Sequence, residues 1–288
     1  MNEYLLSVFL GIIEGLTEFL PVSSTAHLRI AEAVLHLNLH DSFWKMYTIV
    51  IQLGAILALP VYFWNRILKF IRTFPAGERG DRTILTHPLS LTIIAFIVTA
   101  IPSFLLTKVI GKNLESLTVM ATALLVGGIV MWIVDATFTK PRVMHMEEMT
   151  LPQAVWIGAV QILSAVFPGT SRSMSTIAAG QVAGMSRTAA LEFSFFLSMP
   201  TMAVATTYDF LKTVLPHHQA VEENLAPLHV TAEQWIVLAI GFIVSFIVAL
   251  VVVAWFMHWV RARGFAPFAI YRIILSIGLF VLLARGIL

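Results

Sequence analysis

The sequence predicts an all-α polytopic membrane protein: six transmembrane helices plus two re-entrant helical hairpins, arranged as two inverted-topology repeats. Three observations carry that prediction. Of 288 residues, 58% are hydrophobic and only 12% charged, with a mean hydropathy of +0.87, whereas soluble domains carry about 25% charged residues. Six apolar runs approach the roughly 20 residues that cross a bilayer. A polar-tipped apolar stretch also occurs twice: Gly11–Leu28 reads GIIEGLTEFLPVSSTAHL and Gly158–Ser175 reads GAVQILSAVFPGTSRSMS. A shift of 147 residues lays Gly11 on Gly158, Glu14 on Gln161, Pro21 on Pro168, Ser24 on Ser171 and Thr25 on Arg172. Broken segments at matching places in two halves mark a binding site between inverted repeats.

Tyr4–Leu20 opens the chain and stops at Pro21. Proline has no backbone N–H and ends the incoming arm. Ser or Thr after it can cap an outgoing arm, read here as Ser23–His36. Three spans follow: Met46–Trp64, Pro88–Thr107 and Leu117–Thr137. The second hairpin descends as Leu151–Phe167, breaks at Pro168 and returns as Ser171–Gly184. Its three spans are Ala189–Tyr208, Gln234–His258 and Pro267–Leu288. The chain thus forms one membrane domain: repeat one over 1–137, a link over 138–150 and repeat two over 151–288. Three spans per copy is an odd number, so the second copy is inverted. Irregular backbone at membrane depth needs cover from protein or a wet cavity.

Charge sets the expected orientation. Arg66, Lys69, Arg72, Arg79, Arg82, Lys140, Arg142, Arg261 and Arg263 fall on one side, against Lys108, Lys112 and Lys212 on the other. Nine against three puts the first group in the cytoplasm. Both termini and the His217–Glu233 loop then lie outside, and the two hairpin tips meet near the midplane. Arg66, Lys69 and Arg72 suit anionic headgroups of membrane lipids. A net charge of +2, spread over loops, argues against nucleic acid. The absence of cysteine excludes disulfides, thiolate zinc sites and a cysteine nucleophile. Glu3, Glu14 and Glu18 make the N-terminus unlike a cleaved signal peptide.

The tips hold the groups that can do chemistry. Glu14 and Glu18 are one helical turn apart on one face. Carboxylates inside a membrane are costly and mark function by default. Their repulsion calls for a proton or a divalent cation, Mg²⁺ or Ca²⁺ by oxygen preference; the bland alternative is pairing with basic groups. Ser23, Ser24 and Thr25 stand where unpaired N–H groups and the helix dipole favour phosphate, or serve as simple caps. His27, three residues past Ser24, is a base for Ser24 or itself the nucleophile. Thr170, Ser171, Arg172 and Ser173 form the second tip, where Arg172 can grip phosphate bidentately or pair with Glu14 or Glu18. At the 147-residue shift Gln161 and Ala165 replace the two carboxylates, and Met174 stands in the place of His27. Glu192 and Arg272 either line the cavity or pair across helices. Asp135 reads as solvated near a cytoplasmic end. His217, His218 and His229, with Glu222 and Glu223, match no metal motif.

EGLTEFLPVSSTAHL, the QLGAILA of Gln52–Ala58, the PGTSRS of Pro168–Ser173 and the EFSFFLSMP of Glu192–Pro200 together resemble the bacterial undecaprenyl-diphosphate phosphatase family, also called the bacitracin-resistance protein family. The resemblance covers nearly the whole chain. It implies hydrolysis of undecaprenyl diphosphate to undecaprenyl phosphate and inorganic phosphate, recycling a lipid carrier for cell-wall synthesis and conferring bacitracin resistance. It also implies a homodimer in the bacterial cytoplasmic membrane with a site reached from the outer face. The family's acidic pair falls on Glu14 and Glu18, its essential serine and histidine on Ser24 and His27, and its phosphate-binding residues on Thr170, Ser171 and Arg172. Ala26 and Met174 depart from the family's usual glycines. A transporter or flippase of lipid-linked phosphates is the alternative, since alternating access uses the same architecture. The one-sided placement of Glu14, Glu18, Ser24 and His27 favours chemistry.

Overall fold

A computed structural model describes residues 2–35, 37, 42–107, 110, 116–214 and 230–286. The helices are α1 (Glu3–Thr17), α2 (Ser24–Val34), α3 (Ser42–Tyr62), α4 (Trp64–Thr73), α5 (Pro88–Leu105), α6 (Leu117–Thr137), α7 (Leu151–Val166), α8 (Arg172–Val182), α9 (Arg187–Val214), α10 (Ala232–Ala262) and α11 (Ala266–Ala284). Among the described residues, six helices are long and apolar enough to cross a membrane: α3, α5, α6, α9, α10 and α11. They coincide with the six expected spans, and the chain is an all-α polytopic membrane protein. Lys108, Lys112 and the histidines and glutamates of the 215–229 stretch lie outside the described residues, as do the last two residues of the final span.

The two expected breaks form helix–turn–helix pairs, α1 with α2 and α7 with α8. Each outgoing helix begins at a serine in the left-handed region, Ser23 at φ 73° and Ser171 at φ 68°. Such backbone is costly for a residue with a Cβ and persists only where its surroundings impose it. Each hydroxyl accepts the N–H three residues on, from Ala26 at 3.4 Å and from Met174 at 3.3 Å. These matched caps correct the 147-residue register. One residue separates Pro21 from its cap, but Gly169 and Thr170 separate Pro168 from Ser171. Beyond the prolines, Ser171 therefore matches Ser23, Arg172 matches Ser24 and Ser175 matches His27. Gly169 takes the extra residue at φ 94°, packed on the Met120 backbone.

The halves exchange their first helices. α1 lies along α10, while α7 lies along α5. Small residues allow the approach: a Cβ on Gly15 would fall 2.7 Å from the Ser245 carbonyl, and one on Gly158 would strike the Ala95 carbonyl. Thr99 donates to the Gly158 carbonyl at 2.7 Å, and Ser245 donates to Ile51 at 2.7 Å. Backbones held this close gain packing and interhelical hydrogen bonds without any hydrophobic drive from lipid. Phe19, Phe63, Phe195 and Phe256 fill the core beneath the tips.

Three readings need correction away from the tips. The stretch after α3 is helix α4 rather than basic loop; Trp64, Ile67, Leu68 and Ile71 recur at helical spacing. Arg66 and Lys69 are paired within the protein: Arg66 reaches Glu192 at 2.8 Å and Glu147 at 2.9 Å, and Lys69 reaches Glu78 at 2.8 Å. Asp135 is buried rather than solvated. Arg187 Nε donates to it at 2.6 Å, Gln181 at 3.2 Å and the Phe265 N–H at 2.9 Å. Three donors offset the cost of burying the charge.

Candidate active site at the joined tips

The two breaks meet. Ser173 donates from its hydroxyl to the Leu20 carbonyl at 2.9 Å, tying the second tip to the first. Arg172 Nη2 reaches Glu18 Oε1 at 3.2 Å across 154 residues of sequence. Ser24 donates to the other oxygen, Glu18 Oε2, at 2.5 Å. A serine hydroxyl, a carboxylate and a guanidinium thus form one chain spanning both tips. The Arg172 and Glu18 side chains are 9% and 6% exposed, so little water screens the pair. Arg172 Nε and Nη1 have no hydrogen-bond partner among the described residues. Two directed donors therefore remain for an incoming anion.

A cavity of about 520 Å³ opens over this chain. Glu18, Ser23, Ser24 and Thr25 line it from the first tip, and Ser171 and Arg172 from the second. Its other walls come mainly from α5 and α9, and it extends to Thr107 and Tyr208, at the ends of those helices remote from the α4–α5 loop. Polar groups at one end and an apolar wall suit a ligand with a charged head and a greasy tail.

The remaining expected site residues take other places. Glu14 is fully buried, and neither carboxylate oxygen has a hydrogen-bond partner among the described residues. It sits behind the cavity rather than in its lining. His27 does not meet Ser24, and the pairing read from their spacing is not made. At the start of α2 the Ser24 hydroxyl turns to Glu18, while His27, one turn on, faces α11. His27 Nδ1 meets the Ser23 carbonyl at 2.7 Å and Nε2 meets the Tyr271 hydroxyl at 2.6 Å. A carbonyl only accepts, so Nδ1 carries the proton and, in the neutral ring, Nε2 accepts from Tyr271. Thr170 donates to the Phe167 carbonyl at 2.7 Å and does not line the cavity. Ser173 is likewise spent on structure. Gln161 lines the cavity with an unpartnered Oε1. Among the described residues no cluster of three or more His, Asp or Glu side chains can hold a metal.

Arg272 does not line the cavity but binds the breaks themselves. It is fully buried, yet forms no ion pair among the described residues. Nη1 donates to the Pro21 carbonyl at 3.1 Å, and Nη2 to the Gly169 carbonyl at 3.0 Å and the Ala123 carbonyl at 3.1 Å. One guanidinium therefore fastens both breaks to each other and to α6.

Fold and site define a class: a polytopic helical membrane protein with an anion-competent polar site enclosed where two broken helix pairs meet. The comparisons narrow it. The profile of the family described as Bacitracin resistance protein BacA matches residues 7–278, and the chain belongs to that family. A protein of Koribacter versatilis (strain Ellin345) named Undecaprenyl-diphosphatase is 66% identical over 278 residues, covering 96% of this chain and 97% of that one. Proteins of the same name from Rhizobium etli (strain CIAT 652) and Caldanaerobacter subterraneus subsp. tengcongensis are 40% and 39% identical, each over 287 residues and 99% of this chain, covering 99% and 98% of their own lengths.

Proposed function

We propose that this chain is an undecaprenyl-diphosphatase of the bacterial cytoplasmic membrane, releasing inorganic phosphate and undecaprenyl phosphate. The Ser24–Glu18–Arg172 chain at the cavity carries this reading, and the relatives' shared name supports it. The diphosphate enters with its terminal phosphorus at Ser24. The two unpaired donors of Arg172 take its oxygens, an electrostatic clamp set before charge develops. Ser24 Oγ attacks phosphorus while its proton passes to Glu18, already bonded to that hydroxyl. The bond from phosphorus to the bridging oxygen breaks, and undecaprenyl phosphate leaves. Glu18 passes the Ser24 proton to the departing undecaprenyl phosphate. It then takes a proton from the water that attacks the phosphoserine and returns it to Ser24 Oγ as the phosphorus–Oγ bond breaks and phosphate departs. His27, itself held at Nε2 by the Tyr271 hydroxyl, donates from Nδ1 to the Ser23 carbonyl and so orients the turn that presents Ser24. The prenyl tail lies along the apolar walls of α5 and α9.

A divalent cation fits beside this chain, because Glu14 offers two buried oxygens without donors and Glu18 lies one turn away. Glu14 and Glu18 would hold it, with further oxygens from substrate and water, and it would neutralise charge on the diphosphate. The cavity extends to helix ends remote from the basic α4–α5 loop. By the charge asymmetry those ends face outward, so the site is reached from the periplasmic face. The re-entrant hairpins, the inverted repeat and the homodimer belong to the same proposal; the exchange of α1 and α7 between halves supports the repeat, and the homodimer rests on the resemblance alone.

The test is phosphate release from undecaprenyl diphosphate by purified protein in detergent. Wild type turns over, whereas Ser24→Ala purifies normally and loses nearly all activity. Transbilayer movement of the lipid without hydrolysis would instead support the flippase reading.

A further inference from the structure

A second cavity, of about 260 Å³, lies between α4, the α4–α5 loop, the start of α5 and the 138–150 link. α5 has 18 residues and is about 27 Å long. The two cavities occupy its opposite ends. His87 caps α5 and lines the second cavity while only 1% exposed. It stands edge-on to Phe70 and Phe74, which fix its ring. Its Nδ1 accepts from the Leu89 N–H at 3.3 Å, so the ring proton sits on Nε2. That Nε2 has no hydrogen-bond partner among the described residues. Burial, reinforced by the Arg82 charge, lowers the pKa of His87, which leaves a neutral ring with one free donor.

Most of the surrounding acids are engaged, whereas two of the bases, Arg79 and Arg82, are free or nearly so. Glu147 is taken by Arg66 and Glu78 by Lys69. Glu148 accepts from the Met144 and His145 N–H groups, which hold it below the usual carboxylate range. Asp81 meets Arg82 only at 3.8 Å, and Arg79 forms no ion pair among the described residues. The open groups are thus donors and positive charge: Arg79, most of Arg82 and His87 Nε2–H. An acceptor-rich anion satisfies them together. The volume equals about nine waters at about 30 Å³ each, enough for a phosphate with part of its hydration shell.

We propose that this cavity is a second, non-catalytic site for a phosphate-class anion, held by His87, Arg79 and Arg82. Inorganic phosphate and the phosphodiester of an anionic lipid headgroup share that chemistry. The experiment is equilibrium dialysis of labelled inorganic phosphate against the purified full chain in detergent and in phosphatidylcholine nanodiscs. Two saturable sites per chain are expected in wild type. Arg172→Ala should remove one; Arg79→Ala and His87→Asn should each weaken the other at least tenfold. Arg79 is exposed, so Arg79→Ala should melt like wild type without phosphate. Asn at 87 keeps a capping acceptor but leaves a gap beside Phe70 and Phe74 and should melt somewhat lower, and both variants should hydrolyse substrate normally. Should Arg172→Ala fail to fold, wild type against Arg79→Ala still counts the sites. Loss of phosphate binding in phosphatidylglycerol discs, at this site alone, identifies the headgroup as occupant. A single site in wild type, or a second site indifferent to both Arg79→Ala and His87→Asn, overturns the proposal. Hydrolysis is measured separately, so failure of this site is distinguishable from failure of the catalytic reading.

Discussion

Replacing Arg272 by methionine tests whether one buried guanidinium joins the two tips. Methionine keeps a long side chain but removes every donor. The Pro21 and Gly169 carbonyls lie in the breaks, where no described backbone N–H reaches them, so Arg272 is their donor. Ala123 lies inside α6, and its carbonyl loses only a second bond. A buried acceptor left without a donor costs about 1–3 kcal/mol, so two cost about 2–6 kcal/mol. Removing a buried charge that lacks a carboxylate relieves part of this. The expected net loss is therefore near the lower bound, about 2 kcal/mol. The rate should fall by more than this loss of stability implies. Arg172 and Ser24 sit on opposite tips, and a shift of about 1 Å between catalytic groups costs on the order of 100-fold. Arg272→Lys keeps the charge without the planar fork and should recover only part of both losses. The assay is kcat, KM and melting temperature on undecaprenyl diphosphate in one detergent. KM should stay near wild type, since Arg272 is not among the cavity-lining residues. Arg272→Met with an unchanged melting temperature and more than about a tenth of wild-type kcat would refute the joint, given that expected loss.

Arg172→Ala should lose on the order of 100- to 1,000-fold in kcat, the usual loss for a preorganised donor, and Arg172→Lys should regain a fraction; near-normal kcat in a folded Ala variant would remove the clamp. Chelation followed by dialysis should stop turnover, with Mg²⁺ or Ca²⁺ restoring it and Glu14→Gln raising the cation concentration required; full activity in excess chelator would exclude the bridge. Ala76→Cys, in the exposed α4–α5 loop of a cysteine-free chain, should be labelled only after the cell is opened; labelling of intact cells would reverse the orientation.

What could be read from the sequence divides by the kind of partner each residue finds. The six spans and both breaks were legible because length, hydropathy and proline act locally. The Glu18–Arg172 meeting was legible as one of two options, since lone charges of opposite sign in matching breaks have few other places to go. Asp135 was misread because its partners, Arg187 and the Phe265 N–H, lie 52 and 130 residues away. Arg272 was underrated for a stronger reason. Its partners are backbone carbonyls, which every residue carries and which leave no trace in composition. The Ser24–His27 spacing misled differently: three residues bring side chains together inside a helix, but Ser24 is its first residue and its hydroxyl turns back to Glu18. One inserted residue then shifted the second break, so matching the prolines misaligned what followed. Where such a protein does its chemistry is therefore visible as a violation of membrane apolarity. How the groups are paired is decided by backbone geometry at the breaks, at Ser23 and Ser171 above all, where two serines hold a conformation that the local sequence alone does not favour.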